Sequence, residues 1–298
     1  VVAPHIQTLE FMLSHETNST TTEPFETSLT YLAGFISLRN KVQSNRNSDM
    51  STLDVALELG LIEAVKLLHQ RGDPITEQAC TWAAWSGDLD CLKYVIAAGA
   101  AVTQKAFRTA IAQGQLSCLK YLGSITGSEF AGSANCTIAA TLGQLDCLKY
   151  LCENGEECTM QTVAGACLRG HLSILQYLSG LPNASAIFAN ANADAAQGGH
   201  IECLQYLADS GYAWDAETCA SAATGGHLEC LKYLHERGCP WDSRTCTQAV
   251  RCDRFECLKY AAENGCTVPS NLTRWVKPMV SSPAMQEYVF RLCFSEVS

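Results

Sequence analysis

The stretch Gly226-His227-Leu228-Glu229-Cys230-Leu231-Lys232-Tyr233-Leu234 repeats, almost letter for letter, Gly87-Asp88-Leu89-Asp90-Cys91-Leu92-Lys93-Tyr94-Val95. The same block begins at Gly60, Gly87, Gly114, Gly143, Gly170, Gly199 and Gly226, and again at Asp253, where aspartate replaces the glycine. Successive starts lie 27, 27, 29, 27, 29, 27 and 27 residues apart. A fixed period of this size marks stacked supersecondary units, none of which can bury its apolar face alone. The pattern predicts an all-α solenoid of about eight helix pairs, working by surface recognition.

Each unit resolves into two helices. Four residues before the block glycine stands alanine in every copy: Ala56, Ala83, Ala110, Ala139, Ala166, Ala195, Ala222 and Ala249. A site that takes only a methyl group predicts two helix backbones in close approach. The glycine ends the first helix in the left-handed conformation, which glycine adopts most cheaply. In the second helix, apolar residues fall two, four, five, seven and eight positions past the glycine, as in Leu228, Cys230, Leu231, Tyr233 and Leu234. That spacing gives a broad buried stripe. Between units, Thr76, Thr103, Thr159, Asp215 and Asp242 share one register and are expected to cap the next first helix. Trp214 and Trp241, in register with Ile75 and Val102, are expected to pack beneath the turns.

The ends do not fit the repeat. Residues 1–50 hold two amphipathic stretches, His5 to Ser14 and Ser28 to Val42, around a polar tract, and the second stretch is expected to cap the array. Residues 51–266 form the array. Residues 267–298, with Trp275, Val276, Met279, Tyr288, Val289 and Phe290, are expected to close the other end.

With a net charge of −10 and a pI near 5.2, the chain lacks the electrostatic footprint of a nucleic-acid binder. Nor does it hold a run of about 18 apolar residues that would cross a bilayer. It carries 17 cysteines. Six of them, Cys91, Cys118, Cys147, Cys203, Cys230 and Cys257, repeat in one register, where Ile174 and Ala64 fill the other two copies. A site that accepts Cys, Ile or Ala is small, buried and apolar. Neighbouring repeats stand roughly 8–10 Å apart, beyond the reach of about 7 Å that a disulfide requires. Reduced thiols in a reducing compartment are therefore expected, with no paired CxxC motif of zinc type.

The phrase Ala222-Ala223-Thr224-Gly225-Gly226-His227-Leu228-Glu229, followed by Leu231-Lys232-Tyr233-Leu234, resembles the core of an ankyrin repeat. The likeness covers residues 51–266. The copies depart from that family in period, about 33 residues there and 27 or 29 here. The shortfall lies where the family carries its β-turn finger. The Thr-Pro-Leu-His start is also replaced, by Thr218-Cys219-Ala220-Ser221. Finger-poor arrays rich in Cys-Leu-Lys-Tyr-Leu look like the large ankyrin families of protists and giant viruses. The resemblance implies a non-enzymatic scaffold, such as an effector secreted by a plant-infecting protist that binds a host immune or kinase-pathway regulator in the host cytoplasm. An adaptor recruiting substrates to a ubiquitin ligase is the alternative. Taken alone, the chain is expected to be a monomer that uses no cofactor and touches neither nucleic acid nor membrane.

Catalytic signatures are missing: no Gly-x-Ser-x-Gly elbow, Walker loop, His-Glu-x-x-His or kinase set appears. His171, His200 and His227 share a register, yet steps of roughly 8–10 Å keep them from one zinc ion, which needs ligands at about 2.0–2.1 Å. They are expected to bond neighbouring backbone. The ladder Lys66, Lys93, Lys120, Lys149, Lys232 and Lys259 is expected to be a solvated face, with Glu63, Asp90, Asp146, Glu229 and Glu256 lying three residues before a lysine on the same helix. Recognition should instead fall where the frame varies, at the positions five, two and one before the glycine. Trp82 and Trp85 are the leading anchors, since Trp and Arg dominate interface energies. Gln113, Ile138, Leu142, Leu168, Arg169, Asp194, Gln197 and Arg251 extend the candidate surface.

Overall fold

The computed structural model describes residues 50–269, 272–273, 280 and 282–294. Both N-terminal stretches, and Trp275, Val276 and Met279, lie outside the described residues. The described chain is helical, without strands among those residues. First and second helices alternate as α1 (Thr52–Glu58) and α2 (Ile62–Gln70), α3 (Ala79–Ser86) and α4 (Leu89–Ala97), and α5 (Gln104–Ala112) and α6 (Leu116–Thr126). The series continues with α7 (Ser133–Thr141) and α8 (Leu145–Glu153), then α9 (Met160–Arg169) and α10 (Leu172–Ser179). A single-turn helix, α11 (Ala184–Ile187), precedes α12 (Ala191–Gly198) and α13 (Ile201–Asp209). Then come α14 (Ala216–Gly225) with α15 (Leu228–Glu236), α16 (Ser243–Arg251) with α17 (Phe255–Glu263), and the closing α18 (Pro283–Phe294).

The chain divides into two compact units. One ends at Ala110 and takes in Ser117–Thr126; the other comprises Ile111–Leu116 and everything from Gly127 on. Each unit is a stretch of helix-pair solenoid. In the second, the first helices α7, α9, α12, α14 and α16 lie against one another in series, and the outer helices meet more sparsely. The invariant alanines explain that asymmetry, for all eight are fully buried. At Gly165 even a methyl is too much: a Cβ there would stand 2.2 Å from Thr141 Oγ1 on the helix before.

Local chemistry sets the ends of the helices. Gly87, Gly170, Gly199 and Gly226 cap α3, α9, α12 and α14 with φ between 74° and 82°. Asp253 takes the same conformation at φ 55°, alone among the described non-glycine residues, so the register outlasts the loss of its glycine. Asp215 and Asp242 accept from the amides of Thr218 and Arg244, and Thr103 from Ala106. Thr159 forms its link in the other sense, its amide donating to Thr162. Thr76 departs from expectation. Helix α3 starts later, with Gln78 as its cap, and the Thr76 hydroxyl donates to buried Asp54 at 2.7 Å.

The cysteine ladder is buried, each member no more than 1% exposed, and all seventeen cysteines are free thiols. Trp241 packs on His235 with ring centroids 4.0 Å apart, and Trp214 meets Tyr233 edge-on. In the longer linker from Leu181 to Asn190, α11 buries Ile187 and Phe188 follows it into the core, stacked on Tyr212. At the far end α18 buries Met285 and Val289 and sets Tyr288 edge-on against Phe255 of α17, closing the last pair.

Candidate functional site

The repeats are joined by two sets of side-chain bonds that recur with the period. The first runs through the residue just after the block glycine. Gln144 Nε2 donates to the Ala112 carbonyl at 3.2 Å, and Arg254 Nε to that of Thr224 at 3.3 Å. His171 Nε2 meets the Thr141 carbonyl at 3.1 Å and His200 Nε2 that of Leu168 at 3.2 Å. Each acceptor is a C-terminal carbonyl left open by the first helix of the preceding repeat. To reach it, the side chain lies across the preceding block glycine. A Cβ on Gly143, Gly170 or Gly199 would come within 2.7 Å of the histidine of the next repeat. The glycine therefore serves twice, as a left-handed cap and as the bare floor beneath a staple. The second set joins tyrosine hydroxyls to the helix before: His69 Nδ1 to Tyr94 at 2.9 Å, Ser179 to Tyr206 at 2.5 Å, and His235 Nδ1 to Tyr260 at 2.9 Å. Histidine, tyrosine and the glycine between them are thus framework.

Four members of the lysine ladder have defined contacts. Lys66 and Lys232 pair with Glu63 and Glu229 at 2.8 and 2.9 Å on exposed surface. Lys93 and Lys149 lie 5.9 Å from the ring centres of Tyr121 and Tyr177 in the following repeats.

What remains is the variable set. In the first unit Trp82 is half-buried, whereas Trp85, on the same helix, is 45% exposed. In the second unit Leu142 is 48% and Leu168 38% exposed, with Arg169, Gln197 and Arg251 also at the surface. Gln113, Ile138 and Asp194, also in that unit, are half-buried. Burial lifts the Asp194 carboxyl above its ordinary range. Leu142 follows Thr141 and Leu168 precedes Arg169, so both leucines stand at the C-terminal ends of first helices whose carbonyls hold the histidine staples. The outward expectation fails at two positions. Val55 is buried, 3% exposed, in the core of its repeat, and Gly165 faces Thr141 across the helix contact.

A second feature lies off every ladder. The thiols of Cys136, Cys152 and Cys158 converge, their sulfurs all within 4.8 Å of one another. Cys152 and Cys158 Sγ are 3.0 Å apart. Hydrogen bonds from the Cys136 and Cys158 thiols draw the Cys152 thiol below its usual range. Cys136 is correspondingly raised, chiefly by its bond to Cys152. The spacing rule for zinc ligands passes over this group, because its members come from a helix start, a helix end and a turn.

No known family profile matches the chain, and no curated protein matches it. Among solved structures, the crystal structure of the human ASB11 ankyrin repeat domain is similar over 82% of this chain and 98% of that one. The identity is 16% and the TM-score 0.34.

Proposed function

We propose that the chain is a non-enzymatic scaffold that binds a protein partner through the solvent edges of its first helices. One observation carries the reading. At the framework positions side chains repeat and are buried or bonded, whereas the two positions before the block glycine vary widely among the copies and leave Trp85, Leu142 and Leu168 in solvent. Within the second unit, exposed Leu168 next to exposed Arg169 matches the mixed character of an interface better than that of a solvated face. Among the described residues no helix is long and apolar enough to cross a membrane, and the chain's charge of −10 opposes nucleic acid. Seventeen free thiols favour a reducing compartment. The finer reading is an effector delivered into a host cell, where it holds a signalling regulator.

The test is affinity capture from cell lysate under reducing conditions. The wild type is compared with two double variants, Trp82→Ala/Trp85→Ala and Leu142→Asp/Leu168→Asp, each first checked for unchanged helicity. A protein lost selectively from either variant places the site on that unit's first-helix edge. Identical protein lists from all three would refute the surface. Ubiquitin-ligase subunits retained throughout would mark the adaptor instead.

A further inference from the structure

We propose that Cys136, Cys152 and Cys158 form a three-thiolate site for a thiophilic d10 metal ion, for which Zn2+ serves as the probe. The cluster is built by the repeat itself. In the repeat that starts at Gly226, the residues nine and fifteen past the glycine are His235 and Trp241, stacked with ring centroids 4.0 Å apart. In the repeat that starts at Gly143 the same two positions are Cys152 and Cys158, and their sulfurs touch at 3.0 Å. One repeat thus places two thiols where another places a packed aromatic pair, and the first-helix Cys136 supplies the third. The Tyr177 hydroxyl lies beside Cys152, as Tyr260 lies beside His235.

The dimensions suit a single ion. Zinc–sulfur bonds of about 2.3 Å set tetrahedral sulfurs about 3.8 Å apart. Here the three sulfurs all lie within 4.8 Å of one another, with Cys152 and Cys158 at 3.0 Å, so an ion needs only small side-chain shifts. The supports are rigid. Cys136 sits in the first turn of α7 and Cys152 in the last turn of α8; the Cys158 carbonyl accepts from Asn183 Nδ2 at 3.3 Å. Buried Asn135, next to Cys136, donates to the Phe130 carbonyl at 2.8 Å and to Glu156 at 3.0 Å, tying both turns to the cluster. Cys136 and Cys158 are buried while Cys152 is partly open, which gives the ion an entry side. Two other repeats pair a first-helix cysteine with a turn cysteine, Cys219 with Cys239 and Cys246 with Cys266. Neither pair gathers a third ligand among the described residues; Cys239 and Cys266 donate instead to the carbonyls of Asp215 and Asp242. These pairs are built-in controls.

The experiment uses the whole chain, reduced and stripped with a chelator, then titrated with Zn2+ and, in parallel, with Co2+. One equivalent of zinc per chain is expected, with a higher melting temperature and a thiolate-to-cobalt charge-transfer band. Cys152→Ser, at a partly open helix end, should abolish all three while circular dichroism stays unchanged. Cys219→Ser should alter none of them. The proposal is overturned if the reduced protein takes up no zinc, if uptake survives Cys152→Ser, or if it is lost with Cys219→Ser.

Discussion

Replacing Gly170 by alanine separates the two duties of the block glycine. At φ 74° any L-residue is disfavoured, by about 1–2 kcal/mol. Gly211, in the same unit, has φ 84° with open space around its Cβ position, so Gly211→Ala should show that backbone cost alone. At Gly170 the added Cβ would stand 2.5 Å from His200 Nδ1. The ring must swing away and release the Leu168 carbonyl, at a further cost of about 0.5–1.5 kcal/mol. Gly170→Ala should therefore exceed Gly211→Ala by about 1 kcal/mol, or about 2–4 °C in melting temperature for a protein of this size. His200→Ala alone should cost about 0.5–1.5 kcal/mol. Because the double variant has no ring to displace, it should fall short of additivity by about 1 kcal/mol. The assay is urea unfolding followed by circular dichroism, with the denaturant slope compared among all four proteins. Equal losses at Gly170 and Gly211, or strict additivity with His200→Ala, would refute the staple.

Three further outcomes are expected. Asn192 is buried and its Nδ2 donates to the Tyr212 and Ala213 carbonyls, so Asn192→Ala should cost about 1–3 kcal/mol. Exposed Asn154, which bonds only the Tyr150 carbonyl one turn back, should tolerate alanine within about 0.5 kcal/mol in the same unfolding assay. Burial raises the Asp194 carboxyl, so the folded state holds its proton more tightly than the unfolded chain, whose carboxyl titrates near about 3.9. Stability from this group then falls as pH rises from that value through the raised one. Asp194→Asn should remove that slope and gain most at neutral pH; parallel curves for the two proteins would contradict the burial argument. Trp85→Ala, removing a ring already 45% exposed, should leave the unfolding midpoint nearly unchanged, whereas half-buried Trp82→Ala should lower it. The reverse order would mean that Trp85 is the core residue.

By itself the sequence determined the helix-pair frame, because that frame rests on local rules repeated eight times. A glycine that ends a helix, an alanine that admits a neighbouring backbone and a stripe at helical spacing are each read within one copy. Asp253 shows how firmly that register holds, since it keeps the left-handed turn without the glycine. Asp215 and Asp242 cap the helices that the spacing assigned to them. Only the tertiary structure decided what passes between copies. That His171 and His200 lie on the glycine of the repeat before depends on how one helix pair is offset on the next, which no single copy encodes. The same offset set the fate of the variable positions: Val55 went into the core and Leu142 into solvent from registers equally open to substitution. Within a single repeat, the packing of α7 against α8 and the turn after it gathered Cys136, Cys152 and Cys158, thiols separated in the chain by a whole helix and a turn, into one contact. Periodicity reports which face of a helix is buried; the stacking of one unit on another determines which atoms meet there.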